Sequence, residues 1–130
     1  MALAYLRLII LKMNVEDLRL HCIQKKGVTE EFPFDEVTLV FKVMGKMFAL
    51  IGLEWTEAAI NLKCDPERAL DLRDEYDDII PGYHMSKKHW NTVYTERGLE
   101  DDLIKDLIDH SYDLVVSKLT KTLKKELELL

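Results

Sequence analysis

Between Thr38 and Lys63 the chain repeats one local pattern three times, and this pattern limits the possible folds most strongly. Thr38–Val43 has apolar residues at alternate positions, which is typical of a strand with one buried face. Met44-Gly45 predicts a tight turn into the mostly apolar strand Lys46–Leu53, because glycine accepts positive φ. Ala58–Lys63 predicts a third strand. Connections this short join antiparallel neighbours, so an antiparallel meander is expected.

Helix signals lie on both sides of this meander. Asn14 can cap a helix over Val15–Lys25, and Asp65 followed by Pro66 is a strong start for a second helix. Two further strands are predicted at Gly82–Met85 and Trp90–Thr95, and a third helix at Glu100–Ser117. The tail Leu119–Leu130 continues this helical pattern and is not counted separately. The expected order is α-β-β-β-α-β-β-α. This order predicts an α+β, two-layer fold in which a single antiparallel five-stranded sheet has its helices on one face.

Length and charge restrict the class of protein. A chain of 130 residues predicts one domain with a core that needs no disulfide or metal. The 24 acidic and 18 basic side chains give a net charge of −6, which disfavours a broad nucleic-acid surface. Two widely spaced cysteines, Cys22 and Cys64, predict reduced thiols. No apolar run is long enough to span a bilayer, and a cytoplasmic protein without membrane contact is expected.

Residues 1–12 (MALAYLRLIILK) form an apolar extension that precedes a domain over residues 13–130. Two readings of the extension are open. It either lies outside the domain proper, or it packs on the sheet or on a second subunit, because exposed leucine and isoleucine side chains favour association. A monomer and a homodimer formed through residues 1–12 are therefore both compatible with the sequence.

The segment PGYHMSKKHW concentrates basic and aromatic residues in an acidic protein, and it is the best candidate for a binding site. Lysine ammonium groups and histidine N–H groups can bind phosphates, and aromatic rings can stack on bases. The candidate nucleic-acid-binding residues are Lys63, Tyr83, His84, Lys87, Lys88, His89 and Trp90. The competing interpretation places the Tyr83 and Trp90 rings in the core and makes the lysines ordinary solvated residues.

The strings FPFDEVTLVFKVMGKMFAL, NLKCDP, IIPGYHMSKKHWNTVY and LIDHSYDLVV resemble the MmcQ/YjbR family over about residues 13–127. The resemblance implies a fold similar to CyaY and to secretion chaperones. It also implies a DNA-binding protein of "double-wing" type. We expect such a protein to be non-enzymatic and to have double-stranded DNA as its partner. A protein-interaction or chaperone-like module that uses the same sheet and loop is the alternative.

Catalytic and metal chemistry have weaker support in the sequence. Cys64 stands close to the start of the second helix, a position that lowers a thiol pKa, but no nucleophile elbow, phosphate loop or dinucleotide motif is present. No pair of histidines and cysteines has standard zinc spacing. We therefore expect no enzyme activity, no cofactor and no metal.

The rings of Phe32 and Phe34 are expected to plug an edge of the core.

Overall fold

Six strands form one antiparallel sheet in the computed structural model, which describes residues 12–130. The strand order is β1-β2-β3-β4-β6-β5. The strands are β1 Val28–Glu31, β2 Thr38–Val43, β3 Lys46–Gly52, β4 Ala59–Lys63, β5 Ile79–Pro81 and β6 Trp90–Tyr94. The helices are α1 Val15–Ile23, α2 Pro66–Glu75, α3 Asp101–Ser117 and α4 Lys121–Glu128. The α+β class is confirmed, whereas the predicted count of five strands is wrong.

The strand prediction fails at two places. Strand β1 was not predicted, and it pairs with β2 at the edge of the sheet. The predicted strand Gly82–Met85 is a turn, and the chain pairs with β6 earlier, through Ile79–Pro81. The tight turn at Met44-Gly45 is confirmed, with positive φ at both residues. Of the predicted N-terminal extension only residue 12 is described, so its proposed packing lies outside the described residues.

All four helices bury side chains in one cluster with one face of the sheet. Helix α3 contributes most, because its inward residues recur every three or four positions. Phe41, Ile60 and Ile108 are completely buried in this cluster. Burying one such side chain stabilises the fold by roughly 1.5–3 kcal/mol, so this layer supplies most of the stability.

Ser111 joins helix α3 to two strands of the sheet. Strand β3 carries an extra residue, Phe48, where the register with β2 shifts between Phe41 and Lys42. The Ser111 hydroxyl donates to the Phe48 carbonyl at 2.5 Å and accepts the Lys63 N–H at 2.9 Å. It thereby satisfies backbone groups of β3 and β4 beyond their short ladder.

The other face of the sheet, here called the open face, has no helix in its apolar cluster. That cluster consists of Val40, Leu50 and Trp90, with Met47 and Met85 packed against it. These residues belong to strands and to the loop that connects β5 to β6. The open face is therefore covered by loop residues and by side chains such as Trp55, and no helix packs on its apolar cluster.

No helix within residues 12–130 is both long enough and apolar enough to cross a bilayer.

Candidate functional site

The 82–89 loop, which connects β5 to β6, folds back against the open face. At its start the Gly82 N–H donates to the Trp90 carbonyl at 2.8 Å. A side chain at Gly82 has no room, because its Cβ would lie 2.7 Å from the Trp90 Cβ. His84 has a φ of 58°, a left-handed conformation that reverses the chain. The predicted strand over this segment is therefore replaced by a closed, turn-rich loop.

Two buried polar side chains of the sheet hold the backbone of Tyr83. Its N–H donates to Thr92 Oγ1 at 2.9 Å, and its carbonyl accepts from Asn61 Nδ2 at 3.1 Å. Thr92 Oγ1 in turn donates to Asn61 Oδ1 at 2.5 Å. Asn61 and Thr92 are each 2% exposed, so these bonds form away from water and are costly to break. The Tyr83 ring is thus presented from a fixed backbone.

Arg73 braces the far end of the loop from helix α2. Its Nε donates to Asn91 Oδ1 at 2.6 Å, and its Nη2 donates to the carbonyls of Lys87 and Trp90. Asn91 is 2% exposed, and its Nδ2 has no hydrogen-bond partner within the described residues. The guanidinium therefore joins α2, β6 and the loop. Arg73 was not among the predicted site residues, because a contact with a residue 14 positions away leaves no local pattern.

Most of the predicted site residues lie together at this loop. Tyr83 is 54% exposed, and His84, Lys87 and Lys88 are also exposed, whereas His89 is half-buried. Neither lysine takes part in an ion pair within residues 12–130. The Tyr83 and His84 rings are in contact, with their centroids 4.0 Å apart. The loop therefore carries two exposed ammonium groups and, a few residues earlier, an accessible aromatic pair.

Lys63 and Trp90 have different positions. Lys63 ends β4, is half-buried and pairs in register with Trp90 at the start of β6. Trp90 is 7% exposed, because its ring packs on Val40 and Leu50 of the open face. The prediction that Trp90 is available for stacking is wrong: the residue supports the loop and offers no free ring face.

Two adjoining grooves lie on the open face, on either side of Tyr83 and Trp55. The first has a volume of about 380 Å³ and the second about 230 Å³. The first is lined by Phe34, Asp35, Thr38, Met47, Leu50, Trp55, Asn61, Tyr83, His84 and Met85. The second is lined by Trp55, Thr56, Glu57, Ala59, Tyr83, Thr92 and Tyr94. Aromatic rings therefore separate and flank both grooves.

Three aromatic residues near these grooves were missed or misplaced by sequence reasoning. Trp55 lies directly over Gly52, where any side chain would collide with the indole. A glycine near the end of an apolar strand, three residues before a tryptophan, is the signal that could have revealed this contact. Phe32 and Phe34 are 48% and 64% exposed, so the prediction that they plug a core edge is wrong.

Charge divides the open face into two ends. Asp35 and Glu57 lie just before the starts of β2 and β4, at one end of the strands. Lys63 ends β4 and pairs with the start of β6, so it lies with the loop lysines at the opposite end, here called the lysine end. The backbone N–H groups of Val37 and Thr38 lower the Asp35 pKa, and the Arg97 guanidinium lowers that of Glu57. Both carboxylates are therefore ionised at neutral pH. Arg97 balances the charge of Glu57, whereas the loop lysines have no ion-pair partner within residues 12–130, so anionic groups are favoured more at the lysine end.

The two thiols do not form a nucleophilic site. Cys22 and Cys64 are buried, and desolvation raises the thiol pKa to about 12 and about 11 respectively. The proximity of Cys64 to the start of α2 is thus outweighed by burial. Among residues 12–130 no group of three or more His, Cys, Asp or Glu side chains is placed to hold a metal ion.

We predict that neither native thiol reacts with a disulfide reagent at about pH 8, and that both react in concentrated urea. Because Cys64 keeps its proton in the folded state above the ordinary pKa of 9.0, stability falls as pH rises from there to about 11. The absorbance of the thiolate released from the reagent measures the reactivity of the thiols, and urea titrations at several pH values measure the change in stability. Rapid reaction of the native protein would reveal an accessible thiolate.

Together the fold and the site define a small α+β protein with one antiparallel sheet, which has helices on one face and a braced loop on the other. The chain belongs to the YjbR family, whose family model, described as YjbR, matches residues 23–114. The resemblance found in the sequence is therefore confirmed.

Relatives of the chain agree with this assignment. It is 43% identical to YbdF of Escherichia coli O157:H7 over 90 residues, which are 69% of this chain and 74% of that one. It is 33% identical to YjbR of Escherichia coli strain K12 over 113 residues, or 87% of this chain and 96% of that one. Both relatives are described as uncharacterized proteins, so they establish kinship and assign no activity.

Two solved structures support the fold. The crystal structure of Deinococcus radiodurans protein DR2400 superposes with a TM-score of 0.81 at 42% identity, covering 91% of this chain and 89% of that one. A Pseudomonas syringae crystal structure has a TM-score of 0.67 at 29% identity, covering 78% and 98% respectively.

Proposed function

We propose that the protein is a non-enzymatic DNA-binding protein that contacts phosphates through Lys87 and Lys88. The observation that carries this proposal is the pair of exposed ammonium groups on a braced loop, neither of them neutralised by a carboxylate within residues 12–130. An ammonium group without a partner retains its full attraction for a phosphate and releases a counterion from DNA when it binds.

The surroundings of the lysines support the same function. Arg73 holds the Lys87 carbonyl, so less conformational entropy is lost when this part of the loop binds a ligand. His84 and His89 can donate hydrogen bonds to neighbouring phosphates. Lys63 adds a positive charge at the same end of the strands. Few contacts are available, so we expect weak and strongly salt-dependent binding.

A salt titration of DNA binding tests this proposal. The Lys87→Ala/Lys88→Ala double variant is expected to reduce the slope of log affinity against log salt by about 1.8 for duplex DNA, because two phosphate contacts are lost. Lys121→Ala/Lys125→Ala on α4 is the matched control, since it removes the same charge from two exposed lysines on another element. Fluorescence anisotropy with labelled duplex and single-stranded oligonucleotides measures both slopes.

Equal slopes for the two double variants would contradict phosphate contacts at the loop. Absence of binding to either oligonucleotide at low salt would contradict DNA binding altogether.

A protein-interaction or chaperone-like module is the second candidate, and the exposed apolar residues of the open face favour it. Phe34 and Tyr83 line the first groove and are 64% and 54% exposed. Exposed apolar side chains grouped beside a groove are typical of protein-binding surfaces. The net charge of −6 favours a protein partner over a nucleic acid.

A further inference from the structure

We propose that the nucleic acid bound at this site is single-stranded, with unpaired bases entering the two grooves beside Tyr83. This inference rests on the proposed DNA-binding function and specifies the form of the ligand. Its basis is the position of Tyr83 and Trp55, whose side chains line both grooves at the point where they adjoin.

The accessible ring of Tyr83 is suited to stacking. Tyr83 is 54% exposed, while its backbone N–H and carbonyl are held by Thr92 and Asn61. A base that stacks on it therefore meets a surface that is already ordered. Stacking of one base on an aromatic side chain contributes about 1–3 kcal/mol, whatever the base.

The charges around the grooves favour bases inside them and phosphates outside. Asp35 lines the first groove and is ionised, so it repels a phosphate that enters, whereas the charge of Glu57 in the second groove is balanced by Arg97. Lys87 and Lys88 are exposed on the same loop as Tyr83 and lie outside the lining of both grooves. They can therefore attract the phosphates of a strand whose bases enter the grooves.

A duplex cannot use these features in the same way. Its bases are stacked and paired, and their flat faces reach a protein ring only after the pair has been opened. An unpaired strand presents its base faces without that cost, as in other open-sheet proteins that bind single strands through aromatic residues. We therefore expect the grooves to bind an unpaired strand more tightly than a duplex, whereas the lysines alone bind the phosphates of either form.

Three labelled probes of equal length separate the contributions. They are an oligothymidylate of roughly 12 nucleotides, which is within the usual site size, an abasic strand with the same phosphates, and the corresponding duplex. By fluorescence anisotropy at low salt, oligothymidylate is expected to bind more tightly than the other two. Tyr83→Ala should weaken that binding roughly 5- to 150-fold and leave abasic binding unchanged, whereas Tyr83→Phe should retain it.

The outcomes distinguish this inference from the proposed function. Equal affinity for all three probes, with no effect of Tyr83→Ala but weaker binding by Lys87→Ala/Lys88→Ala, would overturn base recognition and leave phosphate binding intact. No binding of any probe would overturn both proposals. Thermal unfolding of each variant verifies that the exposed substitution leaves the fold unchanged.

Discussion

Ser111→Ala is expected to lower the free energy of unfolding by about 2–4 kcal/mol. The substitution creates almost no cavity, but it removes the hydroxyl that accepts from Lys63 N–H and donates to the Phe48 carbonyl. Ser111 is completely buried, so these backbone groups lose their partner where water cannot easily replace it. Each such group costs about 1–3 kcal/mol when left unsatisfied. Urea unfolding followed by circular dichroism measures the loss.

Ser117→Ala is the matched control on the same helix. Ser117 is exposed, and its hydroxyl donates only to the Leu114 carbonyl within α3. We expect its loss to change stability by less than about 0.5 kcal/mol. Similar effects of the two substitutions would show that Ser111 does not couple the helix to the sheet.

Arg73→Met is expected to lower the free energy of unfolding by about 2–4 kcal/mol and to release the loop. Methionine keeps an apolar stem but cannot donate to the carbonyls of Lys87 and Trp90. It also leaves the buried Asn91 without its only side-chain partner among the described residues. Urea unfolding measures the stability, and faster amide hydrogen exchange at Gly82 and Trp90 would report the opening of the loop.

Arg68→Met provides the control, because it removes the same charge from the same helix. Arg68 forms a surface pair with Asp106 at 2.6 Å, and such a pair contributes at most about 1 kcal/mol. If both variants lose the same stability, or if exchange in the loop is unchanged in Arg73→Met, the guanidinium does not hold the loop.

Local patterns predicted the parts of the fold that local physics determines. Asn14 and Asp65 cap α1 and α2 as expected, because a side-chain oxygen close to the first N–H groups of a helix acts over a few residues only. The apolar alternation of β2 and the Met44-Gly45 turn have the same local character. The clustering of Tyr83, His84 and the lysines in one loop was likewise visible in the sequence.

Features that depend on distant contacts were not predictable in this way. Strand β1 has the sequence VTEE, which lacks apolar alternation, and it is held by its ladder with β2 and by the pair between Arg19 and Glu30. Trp90 alternates correctly for a strand, but its burial depends on Val40 and Leu50. The Arg73 brace and the groove walls arise only when the strands are assembled.

The hydrogen bonds that hold the 82–89 loop in place are made by main-chain atoms of the loop and of the adjoining Trp90. The carbonyls of Tyr83, Lys87 and Trp90 and the N–H of Tyr83 carry them, so no side chain at positions 83, 84, 87 or 88 is needed to keep the loop closed. The side chains at positions 83, 87 and 88 can therefore be exchanged while the scaffold stays intact, whereas the positive φ of His84 restricts the residues that fit at position 84. A change of ligand preference then requires no refolding, which makes this loop a natural place to engineer new specificity.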